Sequence, residues 1–157
     1  MRKNSHTLLI YIGALIAFLL TACDNQTVYN RYLHTNKNGW ERNDTLYFLI
    51  PPVTQEGNYT EEIGVRINGD YPFRKLSLII EQTKTNTLER RKDTLNCELI
   101  DKNGHPSGQG ISQYQYTFNL ATLHLLKDDS LRITIRHDMK REMLPGVTDI
   151  GVHISKE

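Results

Sequence analysis

The 157 residues carry 19 Lys and Arg against 18 Asp and Glu, and 38% of them are hydrophobic. That length fits one domain with a modest core, and the near-neutral balance, with no basic tract, excludes tracking of nucleic-acid phosphates. Two cysteines are too few for a disulfide framework.

Arg2 and Lys3 precede an apolar run from Leu8 to Leu20, and Thr21 and Ala22 lead directly into Cys23. A positive start, an apolar core and small residues before a cut are the parts of a secretory signal. The run is shorter than the ~20 residues that a helix needs to cross a membrane. Its ending, Leu20-Thr21-Ala22-Cys23, resembles the bacterial lipoprotein signal closely. The resemblance implies that residues 1–22 are removed between Ala22 and Cys23, and that Cys23 takes a thioether-linked diacylglycerol and an acyl chain on its new amine. Two or more acyl chains hold a protein firmly, so Cys23 is the expected membrane tether. Loss of Arg2 and Lys3 leaves the mature chain one charge negative.

Residues 23–38 are polar and read as a tether, with a first edge strand near Val28 to Leu33. A β domain is expected over 39–157. Thr45 to Ile50 is a strand stopped by Pro51-Pro52, which cannot continue a ladder. Ile63, Val65 and Ile67 alternate with polar residues and Gly64, and the strand ends at the turn Asn68-Gly69-Asp70. Leu76, Leu78 and Ile80 share one face. Thr87 to Arg91 and Thr94 to Ile100 continue the sheet. Tyr114, Tyr116 and Phe118 alternate with Gln113, Gln115 and Thr117, while Leu120 to Leu126 hesitates between strand and one or two helical turns. Leu131, Ile133 and Ile135 form a further strand, and Ile150, Val152 and Ile154 the last. About eight short strands with turns between them predict an all-β chain, a single β-sandwich of jelly-roll or Ig-like kind.

Reactive chemistry is sparse. The sequence lacks HExxH, CxxC and GxSxG, and the glycine-rich stretch Gly104 to Gly110 lacks the Lys and helix of a phosphate loop. Cys97 shares a strand face with Leu95 and Leu99 and reads as a buried apolar side chain. His34, His105, His124, His137 and His153 show no metal-ligand spacing, so neither metal nor cofactor is expected. No catalytic residue is named, although two acids brought together by the fold would suit a glycosidase. Trp40 and Tyr71 are candidate partner contacts, able to stack on glycan or anchor a protein; the competing reading has Trp40 plugging one end of the core. Asp44-Thr45-Leu46, Asp93-Thr94-Leu95 and Asp129-Ser130-Leu131 resemble the O-glycosylation sequon of Bacteroidetes, which makes Thr45, Thr94 and Ser130 candidate modification sites.

Several segments taken together resemble the gliding-motility lipoprotein family GldH of Bacteroidetes. They are the Leu20–Cys23 ending, Asn38-Gly39-Trp40, Asn68-Gly69-Asp70-Tyr71-Pro72, Asp93-Thr94-Leu95, His137-Asp138-Met139 and the closing run from Leu144 to Ile154. The resemblance implies an envelope protein of the gliding machinery and the linked type IX secretion pathway, without a catalytic site, partnered by other envelope proteins. Only Cys23 carries a family role, as the lipid site. Asp24 to Thr27 lacks the acidic cluster that resembles a surface-export signal in that phylum, so a periplasm-facing position is expected. A carbohydrate-binding envelope lipoprotein is the competing reading.

Overall fold

The computed structural model describes residues 26–157. The leader, its cleavage point at Ala22 and the lipid site Cys23 lie outside the described residues.

Eleven strands are formed: β1 (Thr27–His34), β2 (Trp40–Glu41), β3 (Leu46–Ile50), β4 (Gly57–Asn68), β5 (Lys75–Lys84), β6 (Arg90–Glu98), β7 (Gln109–Gly110), β8 (Gln113–Leu125), β9 (Leu131–His137), β10 (Met143–Leu144) and β11 (Val147–Lys156). One sheet has the order β1-β11-β4-β8-β7 and a second β3-β9-β5-β6, while β10 and β2 form a short ribbon. All pairings are antiparallel. Successive long strands cross from sheet to sheet except at the β5–β6 hairpin. That winding decides between the two expected sandwiches in favour of a jelly roll.

The core forms where the period-2 faces meet. Ile63, Val65 and Ile67 of β4 and Ile150, Val152 and Ile154 of β11 face Phe48 and Ile50 of β3, Ile133 and Ile135 of β9, and Leu76, Leu78 and Ile80 of β5 in one buried cluster. Cys97 is fully buried among them. Burial pushes its thiol up to about 12, so it stays protonated and unreactive.

The expected first edge strand near Val28 to Leu33 is β1, paired along β11 at the edge of the larger sheet. Two expectations change. Thr87 lies in the tight turn between β5 and β6, and the two expected strands on either side of Asp93 are one. Leu120 to Leu125 is strand, not helix. A bulge falls where Glu61 and Glu62 face Ala121 and Asn119, which leaves Leu120 as the extra residue. Inward positions therefore switch from Tyr116 and Phe118 to Leu123 and Leu125, and that break in alternation imitates helical spacing.

The sandwich has two ends. Loops 51–56, 85–89 and 126–130 gather at the end where β1 begins and β11 finishes. Segments 35–45, 69–74 and 138–146 gather at the other.

Candidate functional site

The outer face of the five-stranded sheet carries an ordered set of polar side chains. Cross-strand register aligns His34, Asp149, Arg66 and Gln115 in one row, Tyr32, Gly151, Gly64 and Thr117 in the next, and Asn30, His153, Glu62 and Asn119 in a third. The strands deliver these residues because each alternates an aliphatic inward with a polar or glycine residue outward. The middle row is a trough of about 350 Å³ in the sheet face.

Glycine at two adjacent strand centres sacrifices side-chain packing and needs a reason. Here the reason is Tyr32. A Cβ on Gly151 would stand 2.6 Å from Tyr32 Cε1, and one on Gly64 would overlap the Tyr32 hydroxyl. The phenol ring thus lies flat across both backbones. The Arg66 guanidinium covers it at 3.9 Å from the ring centroid, a cation–π contact, and Arg66 Nε donates to Gln115 Oε1 at 2.9 Å. Burial, with Asp149 and Glu62 adding to it against Arg66, pushes the Tyr32 phenol up, so it remains a neutral donor.

Two histidine–carboxylate contacts flank the trough. His34 Nδ1 meets Asp149 Oδ1 at 2.5 Å, and His153 Nδ1 meets Glu62 Oε2 at 2.8 Å. Thr148 Oγ1 donates to Asp149 Oδ2 at 2.8 Å. His153 therefore points outward, as its alternation with Val152 and Ile154 predicts. Opposite charges stand side by side on this face, Asp149 beside Arg66 and Glu62 beside His153, with amide and hydroxyl groups next to them. Among the described residues, no three His, Cys, Asp or Glu side chains group to hold a metal.

The aromatic contacts named from sequence are placed elsewhere. Trp40 is fully buried and Tyr71 nearly so, because both plug the core at the end where β1 finishes. Trp40 Nε1 donates to Asp44 O and Tyr71 Oη to Lys75 O, each at 2.8 Å. Neither offers a face to glycan or protein, which corrects their reading as partner contacts. Of the sequon hydroxyls, Thr94 is exposed on edge strand β6, and Thr45 and Ser130 are half-buried. Asp129, before Ser130, is buried and accepts from Leu126 N and Asn86 Nδ2; its presence there is explained by the loop it closes.

The sheet face went unread in the sequence. Its one signal was glycine inside two strand patterns, which marks close approach of another group.

A second unusual group is Glu61, buried between the sheets opposite the β8 bulge. Gln82 Nε2 donates to its Oε2 at 2.5 Å, while Oε1 has no hydrogen-bond partner among the described residues. Burial, despite Arg91, raises its pKa to about 7. The folded protein thus keeps this proton to about pH 7, whereas the unfolded chain releases it near 4.5. Stability falls as pH rises through that window, by about 3 kcal/mol in all. Urea titrations between pH 4 and 8 are expected to show this loss in the wild type, measured as the difference from a Glu61→Gln variant, which lacks it.

Comparison with known proteins now bears on these features. The GldH lipoprotein family model matches residues 27–154. The chain belongs to that family. It is 25% identical to the gliding motility lipoprotein GldH of Flavobacterium johnsoniae, over 99% of this chain and 98% of that one. A GldH homolog from Christiangramia forsetii is 24% identical over 98% of both chains. Among solved structures, a 4-O-methyl-α-glucuronidase of family GH115 aligns with TM-score 0.45 and 12% identity, over 87% of this chain and 18% of that one. A likeness at that level carries no argument about activity. Within the GldH pattern, the closing block Val147 to Ile154 is strand β11, which places Asp149, Gly151 and His153 at the centre of the polar face.

Proposed function

We propose that this GldH-family lipoprotein is a non-enzymatic assembly component of the gliding or type IX secretion machinery. It is tethered through lipidated Cys23, faces the periplasm, and holds another envelope protein through the outer face of the five-stranded sheet. The observation that carries this reading is the Tyr32 ring bedded on Gly64 and Gly151. Two strand centres are given over to a feature that the core does not need, on the strand holding much of the family resemblance. Both faces of that ring are occupied, and Trp40 and Tyr71 are buried, so the stacking surface expected of a glycan binder is missing from these positions.

Photo-crosslinkers at Asn30 and Thr117, both exposed on this face, test the proposal in native membranes. They are expected to capture the same envelope protein, while a crosslinker at Arg132 on the opposite sheet captures none. Recovery of no envelope protein from the two sheet positions would sink it. Gly64→Ala is expected to lift Tyr32 off its bed, cost about 1–3 kcal/mol of stability, and abolish the Asn30 and Thr117 crosslinks. A Cys23→Ala variant should keep the β-rich circular dichroism spectrum yet move from the membrane to the soluble fraction. Full retention on membranes would remove Cys23 as the tether.

A further inference from the structure

One end of the sandwich displays leucines that the core does not use. Leu88, at the β5–β6 turn, is 69% exposed and Leu126, at the start of the β8–β9 loop, 52%. Leu88 holds a φ of 58°, a left-handed conformation that disfavours any L side chain with a Cβ. The loops that carry them are bolted together. Asn86 Nδ2 donates to Asp129 Oδ1 at 2.8 Å, Leu126 N to Asp129 Oδ2 at 2.9 Å, and Thr85 N to Ser130 O at 2.9 Å. Both leucines therefore stand on a tied floor and not on loose loops.

This floor lies at the end where the chain enters the fold. Register carries Thr27 across to Ser155, Ser155 to Thr60 and Thr60 to Thr122. From Thr122 the chain runs on to Leu126, about 13 Å further towards that end at strand rise. Cys23 stands four residues before Thr27, so at full extension it lies at most about 14 Å away. That reach is long enough for a bilayer held at Cys23 to come level with Leu126. At this end Lys84 is paired with Glu89 at 3.3 Å.

We propose that this end docks on the lipid surface itself, with Leu88 and Leu126 in the headgroup layer and the sandwich standing upright on the membrane. The proposal rests on the reading that Cys23 is lipidated. Aliphatic side chains at an acyl-anchored edge add buried apolar area to the tether. The ten residues of β11 would then raise the Trp40 end by about 33 Å, leaving the polar sheet face open sideways.

Full-length lipidated protein in phosphatidylethanolamine–phosphatidylglycerol vesicles, doped with a headgroup nitroxide lipid, tests this. Single fluorophores are placed by Leu88→Cys, Leu126→Cys, Ile111→Cys and Tyr47→Cys; Cys97 is buried and does not label. Nitroxide quenching at the first two sites is expected to exceed that at Ile111, on the opposite end, by at least about twofold. Equal quenching at all sites, or quenching confined to Tyr47 on the β3 edge, overturns end-on docking while leaving the anchor intact. Protein that leaves the vesicles overturns the anchor and the docking together, and mass spectrometry of Cys23 identifies that case.

Discussion

Replacement of Trp40 by alanine is expected to cost about 3–5 kcal/mol, the range for truncating a fully buried aromatic. That is a large share of the ~5–15 kcal/mol that holds a domain folded. The indole closes the end of the sandwich where β1 finishes, with its backbone in the β2–β10 ribbon opposite Leu144. It meets the His137 ring edge-on at 5.2 Å, and His137 Nε2 donates to Trp40 O at 3.1 Å. Nδ1 of the same ring accepts from Met139 N at 3.3 Å. Both nitrogens are satisfied with the ring neutral, and burial lowers its pKa below the ordinary 6.5. Because the unfolded chain takes up this proton first, stability falls as pH drops below 6.5. Truncating Trp40 admits water to His137, so its pKa should return towards 6.5. Urea unfolding followed by circular dichroism measures the first effect, since Trp40 is the sole tryptophan. Proton NMR of the imidazole measures the second. Trp40→Phe keeps most of the ring but orphans Asp44 O, and should cost about 1–3 kcal/mol. A loss below 1 kcal/mol for the alanine variant would show that this end is not closed by the indole.

Gly146→Ala should destabilise by about 2–5 kcal/mol, adding a left-handed backbone penalty to a steric one. Gly146 sits at φ 80° between β10 and β11. A Cβ there would overlap Tyr71 N and Cα and stand 2.7 Å from the Asp70 carbonyl carbon. These are backbone atoms of the Asn68–Tyr71 turn, which cannot swing aside as a side chain does. Asn68 N also donates to Gly146 O at 2.8 Å, and Asn68 Oδ1 accepts from Asp70 N at 3.0 Å. The two turns therefore lock the register of β11 against β4, and with it the rows on the outer face. Gly69→Ala is the control, since a Cβ there meets nothing within 4 Å. Gly146→Ala is expected to lower the urea midpoint and to weaken the Thr117 crosslink, whereas Gly69→Ala leaves both near wild type.

Much of the fold was legible because burial on one face imposes period 2. Ile63/Val65/Ile67 and Ile150/Val152/Ile154 announce their strands without any tertiary knowledge. Where a bulge shifts the phase, as at Leu120, the alternation breaks and the local signal fails. The site was far less legible. Tyr32 and Arg66 belong to strands with β11 between them, and only cross-strand register makes them neighbours. Tyr71 misled as a contact because polar sequence neighbours do not reveal that its ring turns inward, while Trp40 takes the core-plugging seat that its sequence also allowed.

The lipoprotein-type ending at Cys23, the all-β class and the family resemblance follow from the sequence by itself. Each depends on local order: charge before an apolar run, alternation along a strand, or motifs in succession. The jelly-roll order, the burial of Trp40, and the Tyr32 bed on Gly64 and Gly151 depend on residues distant in the chain. Only packing decided those, because a glycine's lack of a side chain acquires meaning when another ring occupies the space.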